Sequence, residues 1–511
     1  MKPTPSFKCI GVVGSGVMGR GIVQIFAQIG IPVRLFDSQP KALEAAVQSL
    51  HSAFSMLHDK GRLTTEAANL ARQSVLPAGA LADLADCDLV IEAIVERLDV
   101  KRELVASLES ILSNGAVIAS NTSSLSITAI ASQAAHPERI AGYHFFNPVP
   151  LMKIVEVVGG SRTDPTVLER LNDLSKAAGH LPVIAQDTPG FIVNHAGRGF
   201  GTEALRLLGE GVADPFTVDR IMREQVSFDG AGFKLGPFEL MDLTGLDVSH
   251  PVMESIYRQY YEEPRFRPSV LAAQRTMAGL HGRKRGEGWY RHIDGKQQHP
   301  TEAVPPSASL PPAVWVAPGP QREAVATLVT ALGARLDAGP KPSTESLIVL
   351  SPLGHDATHA CQDLSGERAV ALDTLFGFGK GQCQRRTLMT TPATHTEYRD
   401  AAHALFAADG VRVSVIRDSA GFVAPRIIAM IVAIACEIAQ QRIASPADID
   451  AAVRLGLGYP LGPLTMGEKL GPATIHRLLS EMYEVTGDPR YRPSLWLRRR
   501  ASLGLSLFAA D

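Results

Sequence analysis

Three features of this sequence predict an α/β domain built on an open parallel sheet, an all-α domain after it, and the same arrangement repeated in degenerate form. A glycine-rich turn near the N-terminus joins an apolar run to a helical pattern. Short apolar runs then alternate with amphipathic ones to about residue 186. Three blocks of the first half recur, in order, in the second. The bulk composition agrees: 511 residues, 45% hydrophobic and 20% charged, are an ordinary globular chain of about two to four domains. A net charge of −2 lacks the basic footprint of a nucleic-acid binder, and Arg498–Arg500 reads as a solvated helix face. The five cysteines, Cys9, Cys87, Cys361, Cys383 and Cys436, form no C-x-x-C pair. No disulfide framework and no metal site are expected, and reduced thiols fit the cytoplasm. The opening MKPTPSFKCIGVVGSG meets glycine too early for a signal-peptide core. The most apolar later run, 427–436, covers ten residues, whereas a membrane span needs about twenty. It reads as a buried core helix.

Residues 7–13 (FKCIGVV) read as a buried strand, and a helical run continues to about Gln28. Between them stand Gly14, Ser15, Gly16, Val17, Met18 and Gly19, in the spacing G-x-G-x-x-G. The first glycine serves a tight turn, the second lets a pyrophosphate approach the backbone, and the third lets helix and strand pack closely. The helix start offers free N–H groups to phosphates. IPVRLFD (31–37) is the next strand. Asp37 at its tip can accept hydrogen bonds from a ribose diol and would repel a 2′-phosphate, so the expected domain is of Rossmann type and its cofactor NAD rather than NADP. DLVIEA (88–93) is a further strand, VKRELVASLESIL (100–112) a helix, and AVIASNTSS (116–124), IAGYHFF (140–146) and KIVEVVG (153–159) are strands.

Ligands of such a sheet bind at the carboxyl ends of its strands. Glu92, Asn121, Ser123, His144 and Asn147 fall there, and Glu156 lies within the last strand. Thr122 and Ser124 are read instead as a helix cap before SITAIASQ. The segment YHFFNPVPLMKIVEVV (143–158) is apolar except for His144, Asn147 and Glu156, and the turn signals Asn147-Pro148 and Val149-Pro150 divide it. His144 and Glu156 are expected to meet across the prolines as a general base and its orienting acid. Oxidising a secondary alcohol moves a hydride to the cofactor while a proton leaves the oxygen. Imidazole, with an ordinary pKa of about 6.5, suits that second task. A carboxylate on its other nitrogen fixes the tautomer and stabilises the imidazolium.

The motifs GVVGSGVMG, IEAIVERLDVKREL, ASNTSSLSIT, HFFNPVPLMKIVEVV, DTPGFIVN, GPFELMDLTGLD and GRKRGEGWYRH together resemble the (S)-3-hydroxyacyl-CoA dehydrogenases over residues 7 to about 293. The resemblance implies an NAD-dependent oxidoreductase that reversibly converts 3-hydroxyacyl-CoA to 3-oxoacyl-CoA, in fatty-acid or aromatic-acid (phenylacetate-type) degradation. It implies His144 as general base, Glu156 as its partner, and Ser123 and Asn194 as hydrogen-bonding groups for substrate. Glu96, Lys101 and Asn147 match positions near the nicotinamide half of NAD, and Asn121 and Ser123 join them in the cofactor set. Ser55 and Arg62, seven apart, match a serine–lysine pair that touches CoA, with Ser123 a third substrate contact. Arginine there keeps the charge and changes the donor geometry. His195 stands where many relatives have arginine. Arg198, four residues past Asn194 and expected on the same helix face, is a candidate cation for a dicarboxylyl substrate.

In the second half, DSAGFVAPRIIAMIVAIACEIA, GPLTMGEKLG and RYRPSLWLRRR repeat blocks of the first, with offsets of 231 residues at Asp187/Asp418, 226 at Gly236/Gly462 and 225 at Pro268/Pro493. A drifting offset marks an old duplication. REQVSFDGAGFK (223–234) in the first copy is longer than its counterpart, and the sequence suggests no reason. The expected domains are 1–186 (NAD-binding), 187–295 (helical), 296–320 (a Pro-rich linker), 321–417 (a degenerate Rossmann-like segment) and 418–511 (a second helical domain). LIVLSPLG, AVALDTLFG and VRVSVIRD are the expected strands of the degenerate segment, which has no G-x-G-x-x-G. Alignment sets Asp373 against His144, Arg385 where a glutamate would stand, and Pro425 against Asn194. That half should bind no NAD and carry no turnover. In shorter relatives the helical domain mediates dimerisation. A second copy, as in the two-module bacterial members, implies a monomer with an intrachain pseudo-dimer, or else a homodimer.

Other functions fit less well. β-Hydroxyacid dehydrogenases use a lysine on the long helix after the cofactor domain, and GFIVNHAGRGFG offers none. A catalytically silent NAD-binding protein of the same fold would have no need of His144, Glu156, Ser123 and Asn194 together. A hydratase–dehydrogenase is not expected, since no hydratase-sized segment precedes Phe7, and Ser15 lacks the G-x-S-x-G spacing of a hydrolase nucleophile.

Overall fold

The computed structural model describes residues 7–510. The first six residues, on which the leader reading partly rests, lie outside the described residues. The chain divides into two compact units. One holds the residues up to His195 together with Gln441–Leu457, and the other holds Ala196–Gln440 and the chain from Gly458.

In chain order the first unit contains β1 (Ile10–Val13), α1 (Val17–Ala27), β2 (Val33–Phe36), α2 (Pro40–Asp59), α3 (Thr65–Gln73), β3 (Val75–Ala78), β4 (Leu89–Glu92), α4 (Leu98–Glu109), β5 (Val117–Ser120), α5 (Ile127–Ala131), β6 (Ile140–Phe145), β7 (Ile154–Gly159), α6 (Pro165–Ala177), β8 (Leu181–Gln186) and α7 (Val193–Ala196). The strands form one sheet in the order β3-β2-β1-β4-β5-β6-β7-β8. The order reverses between β1 and β4, so the loops leaving those strands diverge and open a crevice. Helices cover the sheet, which is why its central strands read as unbroken apolar runs, with Ile10, Val12, Leu89, Ile91, Val117 and Phe145 all in one core. Two details differ from the expected parallel sheet. β7 runs antiparallel to β6, because the short connection at 146–153 cannot make the crossover that a parallel neighbour requires. The sheet also gains β3 and β8 at its two edges, each carrying a proline (Pro77, Pro182). The cap of α5 is Ser126, whose side chain accepts from Ala129 N–H, and not Thr122 or Ser124.

The second unit opens with α8 (Arg198–Gly209), α9 (Pro215–Glu224), α10 (Pro237–Thr244), α11 (Leu246–Gln259), α12 (Val270–Met277) and the hairpin β9 (Arg291–Ile293)–β10 (Lys296–Gln298). It continues with β11 (Val314–Val316), α13 (Arg322–Ala331), β12 (Leu347–Leu350), α14 (Ala357–Ala360), β13 (Ala369–Leu372), β14 (Arg385–Thr390), α15 (Thr396–Ala407), β15 (Arg412–Ile416) and α16 (Ala424–Gln440). α17 (Pro446–Leu457) belongs to the first unit, where it packs on β7 and β8. The Gln186 N–H donates to Ile443 O at 2.8 Å just before it. α18 (Pro463–Leu470), α19 (Pro472–Thr486) and α20 (Leu495–Leu503) return to the second unit. The two compact units cut across the domains expected from sequence. The residues expected as one helical domain at 418–511 are shared between the units, while β10 and β11 occupy both ends of the expected linker at 296–320.

The second sheet, β11-β12-β13-β14-β15, has its one antiparallel pair at β13/β14, so it repeats β4 to β8 of the first. Nothing among the described residues repeats β1–β3 or the glycine turn. Small devices recur at offsets of 230 or 231 residues. Asp187 accepts from the N–H groups of Ile127 (2.9 Å) and Thr128 (2.7 Å) at the start of α5. Asp418 does the same for Ala357 (2.7 Å) and Thr358 (3.1 Å) at the start of α14. Gly190-Phe191 turns with φ of 78° and 47°, and Gly421-Phe422 with 74° and 53°. A bulky residue rarely adopts that region, so its recurrence is a trace of the duplication.

α16 lies against α8 so closely that a Cβ on Gly199 would stand 3.0 Å from the Ile431 backbone. The run 427–436 is buried throughout, as a core helix should be. Around it Glu203 accepts from Arg426 (2.6 Å), Arg490 (3.0 Å) and Tyr491 (2.7 Å). Burial alone would raise this carboxyl, but the two arginines hold it at about 2. Arg500 corrects the solvated-face reading of Arg498–Arg500. It is buried, stacks on Trp496 and donates to Ala509 O. No helix of the described residues is long and apolar enough to cross a membrane. All five cysteines are free thiols, yet Cys9 and Cys87, remote in sequence, have Sγ atoms 3.4 Å apart.

Candidate active site

The glycine turn follows β1 and meets its three requirements separately. Gly14 has φ of 103°, and a Cβ there would lie 2.5 Å from Ala93 O. A Cβ on Gly19 would strike Gly14 O at 1.8 Å, so only glycine lets α1 pack this near the turn. A Cβ on Gly16 would meet nothing within 4 Å, which leaves open space where a pyrophosphate has to come close. Val17 is exposed and Met18 packs on the core. Ser15 donates to Asp37 through its N–H (2.8 Å) and hydroxyl (2.6 Å), and Gln39 N–H donates at 2.9 Å. Partial burial would raise the Asp37 carboxyl, but these bonds hold it below its usual range. A cavity of about 510 Å³ runs past Gly14, Gly16, Asp37, Val95 and Ser107. An open cradle, a helix start without a side-chain cap and an ionised acid at the next strand tip fit a dinucleotide.

Beside this cavity Lys101 is buried between Glu92, whose two carboxylate oxygens it meets at 2.8 Å each, and Glu96 at 3.3 Å. Burial raises Glu92. Burial also pushes Glu96 up, yet it ends below its usual range, because Thr122 Oγ1 (2.6 Å), Lys101 and the Ser123 N–H (3.0 Å) outweigh it. Thr122 and Ser124 therefore serve Glu96 rather than capping α5. Asn121 Oδ1 accepts from Phe145 N–H at 2.9 Å, tying the end of β5 to the residue after His144.

His144 and Glu156 face each other directly in the β6/β7 register. His144 Nδ1 stands 2.6 Å from Glu156 Oε2. Glu156 is fully buried, and its other oxygen accepts from Ile192 N–H (2.9 Å) and Val193 N–H (2.8 Å). The left-handed turn at Gly190-Phe191 aims those two N–H groups inward. The same turn starts α7 and places Asn194, whose Nδ2 donates to Ser123 O at 3.3 Å. His144, Glu156, Ser123 and Asn194 are thus brought together by one network. The imidazole also packs against Phe146 and Phe191, with ring centroids at 4.4 and 5.9 Å. Asn147 is exposed on the turn and lines a small cleft with Val17, Arg20 and Ser49.

Ser55 Oγ accepts from Arg72 Nη2 at 2.9 Å, a partner the sequence did not suggest, and Arg62 is exposed. α2 ends at Asp59 and Gly61 turns with φ of 66°, so the seven-residue spacing leaves the helix. Likewise α7 ends at Ala196 and Arg198 begins α8, so Asn194 and Arg198 share no helix.

In the second sheet Asp373 N–H donates to Thr387 O at 3.0 Å, so Thr387, and not Arg385, takes the Glu156 register. The longer first-copy segment explains what fills that place. Gln225 Nε2 donates to Asp373 at 2.7 Å, and Thr387 donates to Gln225. Arg385 pairs with Glu224 at 3.0 Å and Glu302 at 2.6 Å. Burial pushes Asp373 up to about 7.

Comparisons with known proteins agree with this arrangement. Residues 9–188 match the family described as 3-hydroxyacyl-CoA dehydrogenase, NAD binding domain. Residues 190–292, and again 421–506, match 3-hydroxyacyl-CoA dehydrogenase, C-terminal domain. The chain is 36% identical to a 3-hydroxyadipyl-CoA dehydrogenase of Escherichia coli K12 over 494 residues, 97% of each chain. It is 38% identical over 282 residues to a probable 3-hydroxybutyryl-CoA dehydrogenase of Deinococcus radiodurans, covering 55% of this chain and 99% of that one. A crystal structure of 3-hydroxybutyryl-CoA dehydrogenase from Escherichia coli K12 superposes with a TM-score of 0.83 at 34% identity, covering 98% of this chain and 99% of that one.

Proposed function

The chain belongs to the 3-hydroxyacyl-CoA dehydrogenase family and is an NAD-dependent enzyme of that class, and we propose that His144 is the base of its reaction. The observation that carries this is the saturation of Glu156. Two backbone N–H groups and His144 Nδ1 occupy its oxygens, so the imidazole keeps its proton on Nδ1 and presents Nε2 as acceptor. Nε2 takes the proton of the 3-hydroxyl, and Glu156 stabilises the imidazolium. Ser123 and Asn194 hydrogen-bond the substrate oxygens without titrating. NAD, when bound, supplies the hydride acceptor. Gly14 to Gly19 hold its pyrophosphate, Asp37 its adenosine ribose, and Glu96, Lys101, Asn121 and Asn147 border its nicotinamide end. Arg62 and Ser55, the latter accepting from Arg72 Nη2 at 2.9 Å, are the contacts assigned to CoA. The test is NADH oxidation with acetoacetyl-CoA and 3-oxoadipyl-CoA side by side. Turnover is expected, and the preferred substrate separates fatty-acid from aromatic-acid degradation. No turnover of either with NADH bound would overturn the reading.

The Asp37 role has its own consequence. Asp37→Ala is expected to raise kcat/KM for NADPH relative to NADH by about 10–100-fold, because it removes a like charge facing the 2′-phosphate. An unchanged ratio would take Asp37 out of cofactor choice.

The proposed assembly is a monomer with an internal pseudo-dimer, and the proposed compartment is the cytoplasm, which keeps the five free thiols reduced. Arg265 and Arg490, equivalent in the two copies, exchange contacts: Arg265 Nε donates to Arg490 O at 3.1 Å and Arg490 Nη2 to Pro264 O at 3.1 Å. Reciprocal contact is the mark of a two-fold interface. Here it is satisfied inside one chain, and α16 covers α8. Sedimentation should give the 54.7 kDa mass of one chain, and an obligate dimer would contradict it.

A further inference from the structure

We propose that Cys9 and Cys87 form a redox-active dithiol that a peroxide closes to a disulfide, at the end of the first sheet remote from the glycine turn. Cys9 immediately precedes β1 and Cys87 lies two residues before β4. These strands are neighbours in parallel register, Ile10 opposite Leu89, so the fold itself brings together two thiols 78 residues apart, with Sγ atoms at 3.4 Å. The backbone of Cys9 is pinned, its N–H donating to Asp88 Oδ1 at 3.1 Å. Cys9 is half-buried and admits a small oxidant, while Cys87 is buried beneath it. The hydrogen bond from Cys87 holds the Cys9 thiol below its usual range; burial and Asp86 oppose this, and the Arg34 charge assists. That is the environment of a nucleophilic thiol with a resolving partner.

Asp86 stands within 4.8 Å of both sulfurs, a trio that could hold a cation. Both of its oxygens, however, are held by Arg34, at 2.7 and 2.6 Å. Two sulfurs alone fall short of the roughly four ligands of a zinc site, so the pair favours oxidation.

The Cys9 sulfur attacks hydrogen peroxide, breaking the O–O bond and giving a sulfenic acid and water. The Cys87 sulfur then attacks the sulfenic sulfur, and its proton leaves with the hydroxyl as a second water. Two thiols are oxidised and one peroxide is reduced to two waters. The bond would tie β1 to β4, whose far ends lead to Gly14 and to Glu92. Because it closes a long loop, it is expected to raise the unfolding midpoint by about 5 °C or more.

The test treats the reduced full-length protein with one equivalent of hydrogen peroxide. The expected product has lost two hydrogens, yields a Cys9–Cys87 linked peptide and melts higher, and it reverts with a dithiol reductant. Cys9→Ser and Cys87→Ser should each abolish the link. On the parent alone, prior phenylarsine oxide, which bridges paired thiols, should protect one pair from oxidation. Free thiols or sulfinic acid at Cys9 with no link would overturn the proposal. So would equimolar zinc uptake that shields both thiols.

Discussion

Glutamine in place of His144 is expected to lower kcat by about 10²–10⁴-fold, the usual contribution of a positioned acid–base group, with NADH affinity unchanged. The two effects separate because the groups assigned to the dinucleotide are the glycine turn, Asp37, Glu96, Lys101, Asn121 and Asn147, while the imidazole on β6 has its Nδ1 held by Glu156 at 2.6 Å. Glutamine retains a hydrogen-bonding end but cannot take a proton near neutral pH. Steady-state turnover of acetoacetyl-CoA, together with NADH binding by fluorescence, checks both effects. Turnover within a few-fold of the parent would mean that another group takes the proton.

Much of this site was legible because its chemistry breaks a pattern. His144 and Glu156 are polar groups in apolar strands, spaced for a hairpin, and the β6/β7 register sets them opposite each other. The G-x-G-x-x-G turn was equally plain, since each glycine answers a separate steric demand. What escaped notice had the opposite character. β3 and β8 each contain a proline, which suits an edge strand but interrupts the strand signal. β14 begins with Arg385 and Arg386, fully buried because Glu224, Glu302 and Asp409 pair with them, and no local pattern announces such partners. Spacing failed where an element stopped. Arg198 lies beyond the end of α7, and the turn before β14 moves Thr387 into the place assigned to Arg385. The Ser55–Arg72 and Cys9–Cys87 contacts join separate elements, so only the fold could show them.

Glu156→Gln and Glu156→Ala are expected to fail in opposite ways. The carboxylate accepts from three donors, His144 Nδ1 and the N–H groups of Ile192 and Val193. A carboxamide has one oxygen, so its NH₂ must face a donor somewhere. Turning the NH₂ toward the backbone would strand two buried N–H groups, at about 1–3 kcal/mol each. Turning it toward His144 costs less, because the imidazole can move its proton to Nε2 and accept at Nδ1. That tautomer has no free acceptor for the substrate hydroxyl. Glu156→Gln should therefore stay folded, with a melting midpoint near the parent's, and lose about 10³–10⁴-fold in kcat, as expected when an orienting acid holds the wrong tautomer. Alanine imposes no tautomer, so a fraction of the imidazole keeps Nε2 free. It also leaves both N–H groups and Nδ1 without their acceptor, a loss of about 3–5 kcal/mol. The alanine variant should be the less stable of the two and the more active per folded molecule. Melting curves and active-fraction-corrected kcat for both variants decide the matter. If glutamine proves the more active, control of the tautomer is not the role of Glu156.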